Sequence, residues 1–402
     1  MSLTKRQLFL SHVAQTSDLP VMLEVSHAKG VHIWDIYGKR YVDMNSGIAV
    51  NSLGHCHPEI VQAICDQSER YMHTMVYGEH VQSPQVEFAQ LLLDQLRSDL
   101  DVLYYLMSGT EATELAMKLA KRYTGRYEII ACRIAYHGST HGAESLRSDE
   151  NYKAPYQPLL PGIRHINFNE EEALESITTR TGCVITEVVQ GEAGVIPPHP
   201  CWLRAVQERC RQVGALFIVD EIQSGFGRTG SLFAHQRFAI EPDVVLVGKA
   251  MGGGMPIAGV ISSREIMSCI IRNPALGHIT TFGGHPMSCA AALAGLRVLL
   301  QKEHISQISN KVAYIKSRLQ CHPVVKQIRN AGLMMAVEPI GRKYLKHIVG
   351  HAFELGLIVD WFLFNNRSFR LAPPLVISME ELAEACDILE AAMDYALAKY
   401  ER

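Results

Sequence analysis

Apolar and polar positions fall into three regimes along the chain. Between residues 20 and 45 they alternate, interrupted by Gly30, Asp35 and Gly38-Lys39, which predicts two or three short antiparallel strands with tight turns. From 102 to 263, short apolar runs alternate with segments of helical period. The runs Val102–Met107, Glu128–Cys132, Cys183–Val189, Ala215–Val219, Val244–Val247 and Ile257–Ile261 read as buried strands. Between them Leu203, Val206, Cys210 and Val213 recur at helical spacing just before Gly214. Such alternation predicts βαβ units: an α/β fold with a mostly parallel central sheet and helices on both faces. Beyond about residue 290 the pattern changes to long helices with a few short strands, which predicts a smaller α+β domain. The expected division is a segment 1–50 belonging to the small domain, a large domain 51–290 and the small domain proper 291–402.

Two helix starts are explicit. Pro58 suits a first helical position, with Ile60, Val61 and Ile64 expected on the buried face. Ser378 with Glu381 forms a capping box ahead of Leu382, Cys386, Leu389, Met393 and Leu397. No internal repeat or low-complexity tract interrupts the chain.

Composition narrows the function classes. The 402 residues are 48% hydrophobic and 20% charged, the balance of an ordinary globular protein. A net charge of -3, with no basic run interleaved with aromatics, argues against nucleic acid or anionic lipid as partner. Ten scattered cysteines without a Cys-x-x-Cys pair suggest reduced thiols. No apolar core of a signal peptide opens the sequence and no run approaches a membrane span, so a cytoplasmic location is expected.

The candidate chemistry sits where strands end. Asp243–Val247 runs through Gly248 into Lys249 and then into the glycines Gly252, Gly253 and Gly254. At the carboxyl end of a central strand, where open α/β sheets bind ligands, a desolvated ammonium has a lowered pKa and is a candidate Schiff-base nucleophile. A strand-end lysine reaching solvent would give the same pattern. Ser108-Gly109-Thr110-Glu111 opens a helix bearing Leu115 and Leu119, and its free N–H groups suit a phosphate, although a plain helix cap reads alike. It lacks the Walker lysine and the dinucleotide glycine spacing. Ala215–Val219 ends in Asp220-Glu221, a carboxylate that either pairs structurally or faces a protonated heterocycle. Phosphate cup, strand-end aspartate and strand-end lysine are together the parts of a pyridoxal phosphate site. His55-Cys56-His57 has no second ligand cluster, so no metal is expected.

At this point the sequence resembles the class III, fold-type I pyridoxal-phosphate aminotransferases, the family of acetylornithine, ornithine and 4-aminobutyrate aminotransferases. The resemblance runs from about residue 20 to 395. It is carried by Gly54-His55-Cys56-His57-Pro58, Ser108-Gly109-Thr110-Glu111-Ala112, Tyr136-His137-Gly138, Gln190-Gly191-Glu192-Ala193-Gly194, Val219-Asp220-Glu221-Ile222-Gln223, Gly248-Lys249 and Thr281-Phe282-Gly283-Gly284-His285-Pro286, in that order.

The resemblance implies a homodimer with a shared active site and assigns roles position by position. Lys249 would hold the cofactor covalently and shuttle the proton, and Asp220 would keep the pyridine nitrogen protonated. Gln223 would bond the phenolic oxygen, and Tyr136 would stack on the ring. Ser108, Gly109 and Thr110 would take the phosphate, with Thr281 reaching it from the other subunit. His137 and Glu187 are further implied cofactor contacts. On the substrate side the resemblance implies Arg370, gripping a carboxylate, and Glu192, pairing with Arg370 when the other substrate is bound. Ser139 and Thr280 are implied as neighbours of the substrate.

One departure bears on specificity. Many relatives that use 2-oxoglutarate carry an arginine where this chain has Ser139. Either another arginine such as Arg133 compensates, or the acceptor lacks the second carboxylate, as pyruvate does. The implied activity is transfer of an amine from an ω-amino acid to a 2-oxo acid. An aminomutase or racemase of the same family, or a protein that holds the cofactor without chemistry, are the alternatives.

Overall fold

The computed structural model describes residues 3–301 and 303–400. Three sheets organise them. The first joins β1 (Val25–Lys29), β2 (His32–Asp35) and β3 (Arg40–Asp43) as antiparallel neighbours, as the alternation of residues 20–45 predicts.

The central sheet has seven strands: β4 (Val102–Leu106), β5 (Glu128–Cys132), β6 (Ile163–Ile166), β7 (Thr181–Glu187), β8 (Leu216–Asp220), β9 (Val244–Val247) and β10 (Ala258–Ser262), in the order β4-β10-β9-β8-β7-β5-β6. Only β10 runs antiparallel to its neighbours, so the expected mostly parallel sheet is what forms. The runs read from sequence locate six of these strands, two with the same ends and four with ends shifted by one or two residues. In β7 the chain leaves the sheet after Glu187, and Val188 and Val189 are buried in the loop beyond. The edge strand β6 escapes the reading because Arg164 and His165 interrupt its apolar pattern.

The sheet is covered on both faces, which is why its strands read as near-continuous apolar runs. Val244, Ile218 and Ile185 pack with Leu115, Ala116 and Leu119 of the helix Gly109–Thr124 on one side. Val245, Phe217 and Val184 pack with Leu203, Val206 and Cys210 of the helix Pro200–Val213 on the other. That second helix stops at Gly214, whose φ of 68° is the left-handed cap that glycine adopts without steric cost.

The third sheet is antiparallel, in the order β11-β12-β15-β14, from β11 (Val325–Ala331), β12 (Met334–Pro339), β14 (Asp360–Trp361) and β15 (Phe369–Leu371). The remaining strand, β13 (Leu357–Ile358), pairs in parallel with β3, tying the amino-terminal strands to the carboxyl-terminal part. The closing helix Met379–Ala398 carries the predicted Ser378/Glu381 capping box and buries Leu382, Cys386, Leu389 and Met393. In the helix Pro58–Arg70, Ile60 is buried and Ile64 half-buried, but Val61 is exposed, contrary to its expected place on the buried face. Among the described residues no helix is long and apolar enough to cross a membrane.

Candidate active site

A cavity of about 290 Å³ opens at the carboxyl ends of the parallel strands. Its wall takes Ser108, Gly109 and Thr110 from the cap and first turn of the helix after β4, Tyr136, His137 and Ser139 from beyond β5, and Glu187 from the end of β7. Asp220 and Gln223 come from the end of β8, Lys249 from beyond β9, and Glu192 from the loop after β7. These are the residues the sequence motifs single out, and the strand order brings them to one place.

Lys249 follows β9 after the single residue Gly248, at a φ of 48° that side-chain-bearing residues rarely adopt. Backbone strain of this sort persists only where the surroundings over-determine it. Desolvation holds the Lys249 amine below its ordinary pKa, partly countered by the charge of Glu192. A larger share of neutral, nucleophilic amine at neutral pH follows.

Asp220 is pinned on both oxygens: Oδ1 accepts from the Ile222 N–H at 2.9 Å, and Oδ2 lies 2.7 Å from Nδ1 of His137. Burial disfavours a charged His137, but the hydrogen bond and charge of Asp220 outweigh it and raise the imidazole above its ordinary value. His137 Nε2 has no partner among the described residues. Glu187 accepts from the Tyr136 N–H at 2.9 Å and the Gly191 N–H at 2.6 Å. Burial nonetheless pushes its carboxyl up to about 7.

The helix Gly109–Thr124 points its positive end into the cavity. Ser108 and Glu111 form a reciprocal capping box, in which Glu111 Oε2 takes the N–H groups of Met107 and Ser108. The N–H groups of Gly109 and Thr110 are left without a partner among the described residues. The Thr110 hydroxyl lies 2.7 Å from that of Thr140. Gly138 sits directly against this cradle: a Cβ there would come within 2.2 Å of Thr110 Oγ1.

Arg370, on β15, is 3% exposed and donates through Nη2 to both oxygens of Glu192, at 2.7 and 2.8 Å. Its guanidinium lies 4.7 Å from the Phe362 ring centroid, and its Nε and Nη1 have no partner among the described residues. Burial alone would raise the Glu192 carboxyl, but Arg370, the Leu363 N–H and Lys249 together outweigh it and hold Glu192 below the usual carboxylate range.

Thr281, expected to serve the other subunit's site, is exposed, Thr280 is half-buried, and neither lines the cavity of its own chain. Arg133, offered as a substitute for the arginine absent at position 139, is exposed and outside the cavity wall. It follows β5 at a turn whose next residue, Ile134, adopts a φ of 60° and is also exposed. The arginine that does reach Ser139 is Arg147, whose Nη2 lies 2.8 Å from the Ser139 hydroxyl. In the sequence it follows Gly142-Ala143-Glu144-Ser145-Leu146, a stretch with no motif that singles it out. His55, from the weak metal pattern, pairs with Asp43 at 2.8 Å.

Comparison with known proteins agrees with this geometry. The aminotransferase class-III family model matches residues 13–393. An acetylornithine aminotransferase of Methanothermobacter thermautotrophicus is 39% identical over 376 residues, covering 92% of this chain and 93% of that protein. The acetylornithine aminotransferase of Bacillus cereus is 36% identical over 389 residues, covering 94% and 97%. Among solved structures, the ornithine aminotransferase of Toxoplasma gondii ME49 superposes with a TM-score of 0.88 at 30% identity, covering 100% of this chain and 97% of that one. By its motifs, its fold and these relatives, the chain belongs to the class-III aminotransferases, fold-type I enzymes dependent on pyridoxal phosphate.

Proposed function

We propose that the chain moves the amine of an ω-amino acid, of the acetylornithine, ornithine or 4-aminobutyrate kind, to a 2-oxo acid. The observation that carries this reading is the convergence of Lys249, Asp220 and the Gly109–Thr124 helix start on one cavity. Relatives named acetylornithine aminotransferase support the donor class.

The residues present fit pyridoxal phosphate. The two unpartnered N–H groups at Gly109 and Thr110 suit its phosphate. A Cβ on Gly109 would lie 2.8 Å from Ile222 Cδ1, so this cradle admits nothing larger than glycine without rearrangement. The cofactor supplies an aldehyde that condenses with amines and a ring that accepts negative charge from the adjacent carbon.

The chain's own residues do the rest. Asp220, held by Ile222 and His137, is placed to keep a proton on the nitrogen of a bound ring. Lys249, with its lowered pKa, would offer a free amine and would carry the proton during transfer. Tyr136 and Gln223, which line the cavity, would hold the ring's face and its phenolic oxygen. Glu192 neutralises Arg370 while an amine without a neighbouring carboxylate is bound, and yields Arg370 to a substrate that has one.

The same reading makes the enzyme a homodimer, with Thr281 completing the phosphate site of the second subunit and Thr280 close to its substrate. Thr281 is exposed, and it follows a segment that exposes Ile271, Leu276 and Ile279. These flank a groove of about 800 Å³ that also takes Val81, and exposed apolar surface of this extent marks an interaction face.

The test is turnover of N-acetylornithine, ornithine, 4-aminobutyrate and β-alanine with 2-oxoglutarate or pyruvate as acceptor. Amine transfer that requires a 2-oxo acid supports the reading. Conversion of a single substrate without any 2-oxo acid would replace it with a mutase or racemase.

A further inference from the structure

We propose that Arg147 is the second carboxylate-binding residue of this active site, doing from a new position what an arginine at position 139 would do. The proposal rests on the transaminase reading and names the acceptor class: a dicarboxylic 2-oxo acid of the 2-oxoglutarate type.

Ser139 belongs to the wall of the main cavity and also to that of an adjoining one of about 280 Å³, which Arg147 lines. Nη2 of Arg147 reaches the Ser139 hydroxyl at 2.8 Å and the Gly138 carbonyl at 3.3 Å. The same hydroxyl lies 3.2 Å from that of Tyr136. The guanidinium is therefore one hydroxyl away from the space in which the substrate reacts.

Its surroundings are those of a built anion site. Arg147 is 5% exposed, and its guanidinium lies 5.0 Å from the Tyr136 ring centroid and 5.5 Å from that of Tyr152. Aromatic faces on a guanidinium fix its plane and leave its edge for planar acceptors. Nη1 meets Glu144 at 3.1 Å, and Nε has no partner among the described residues.

The arrangement repeats that of Arg370: a buried arginine against an aromatic ring, answered by one glutamate, with N–H groups left over. The Arg147–Glu144 contact is an ion pair without a hydrogen bond, Glu144 Oε1 having no hydrogen-bond partner among the described residues, so it is open to exchange. An incoming carboxylate that displaces Glu144 meets a bidentate donor fork, for which a lysine or a serine is no equivalent. A monocarboxylic acid such as pyruvate can engage only one of the two arginines.

The experiment compares wild type, R147Q and S139R/R147Q, all loaded with pyridoxal phosphate. It measures kcat/KM for 2-oxoglutarate and for pyruvate, and calorimetric binding of glutarate against butyrate. The expected result is a fall of at least about tenfold in the 2-oxoglutarate to pyruvate ratio in R147Q, the cost of one charge-assisted contact. The fall lies mainly in KM, glutarate binding weakens in parallel, and S139R recovers part of both. If R147Q does not fold, E144Q/R147Q removes both members of the buried pair and takes its place. An unchanged ratio together with unchanged glutarate binding overturns the proposal. If no 2-oxo acid supports turnover while glutarate binding still depends on Arg147, transamination falls and the carboxylate site stands.

Discussion

Arg370 and Glu192 face each other inside the protein at 2.7 Å, both nearly inaccessible, yet only one nitrogen of the guanidinium is used. A buried pair in which the arginine leaves two of its three nitrogens without a partner among the described residues is poor as a structural brace, because unmatched buried donors are costly. It is well suited to exchange, since a substrate carboxylate can take what Glu192 leaves. Glu192→Gln removes the competing charge. Utilisation of α-amino acids such as glutamate should rise relative to ω-amine donors, with the ratio of kcat/KM values moving by about 10- to 100-fold. Steady-state kinetics on both donors checks this, and an unmoved ratio rejects the exchange.

Asp220 is fixed by two hydrogen bonds that leave it little freedom to compensate for a lost charge. Asp220→Asn should reduce turnover by about 10²–10⁴-fold, the range for losing a positioned proton-handling group. Its circular dichroism and thermal midpoint should stay near wild type. Unimpaired turnover would remove Asp220 from the mechanism.

Glu187 makes stability depend on pH in a direction opposite to most carboxylates. Burial raises its folded pKa to about 7 from 4.5, so between those values the folded chain binds more protons than the unfolded one. Unfolding free energy must then fall as pH rises through that window, by roughly 3 kcal/mol from this group at most. Urea midpoints of the cofactor-free protein at pH 5 and pH 8 measure the slope, and Glu187→Gln should flatten it. A slope that Gln leaves unchanged assigns the pH dependence elsewhere.

Gly138 has a φ of 129°, and its missing Cβ is the space that Thr110 fills. Gly138→Ala should therefore both strain the backbone and push Thr110 out of the phosphate cradle. A loss of about 1–3 kcal/mol in stability is expected, with cofactor affinity at least about tenfold weaker. Denaturation and equilibrium cofactor titration read the two effects separately.

What was legible in the sequence follows from where polarity breaks an apolar run. Asp220 and Lys249 end strands that are buried on both faces, so any charge there must be explained by a partner or a ligand. The helix opened by Ser108-Gly109-Thr110 was legible from Leu115 and Leu119, but its Ser108/Glu111 capping box emerges only in the structure. The edge strand Ile163–Ile166 was hidden because half its residues are polar and it is paired on one side only. Arg147 was hidden for a different reason. Its contact with Ser139 depends on how the segment after the short helix His141–Glu144 folds back, and no period in the sequence encodes that. Thr281 is exposed, and its proposed role rests on the family motif rather than on any contact within the chain.

The most direct measurement follows the visible absorption of the protein loaded with pyridoxal phosphate, titrated first with an ω-amino donor and then with a 2-oxo acid. With Lys249 and Asp220 in the proposed roles, the donor bleaches the band, the 2-oxo acid restores it, and Lys249→Ala does neither. A band that no donor bleaches, or a Lys249→Ala protein that completes the cycle at the wild-type rate, contradicts the assignment.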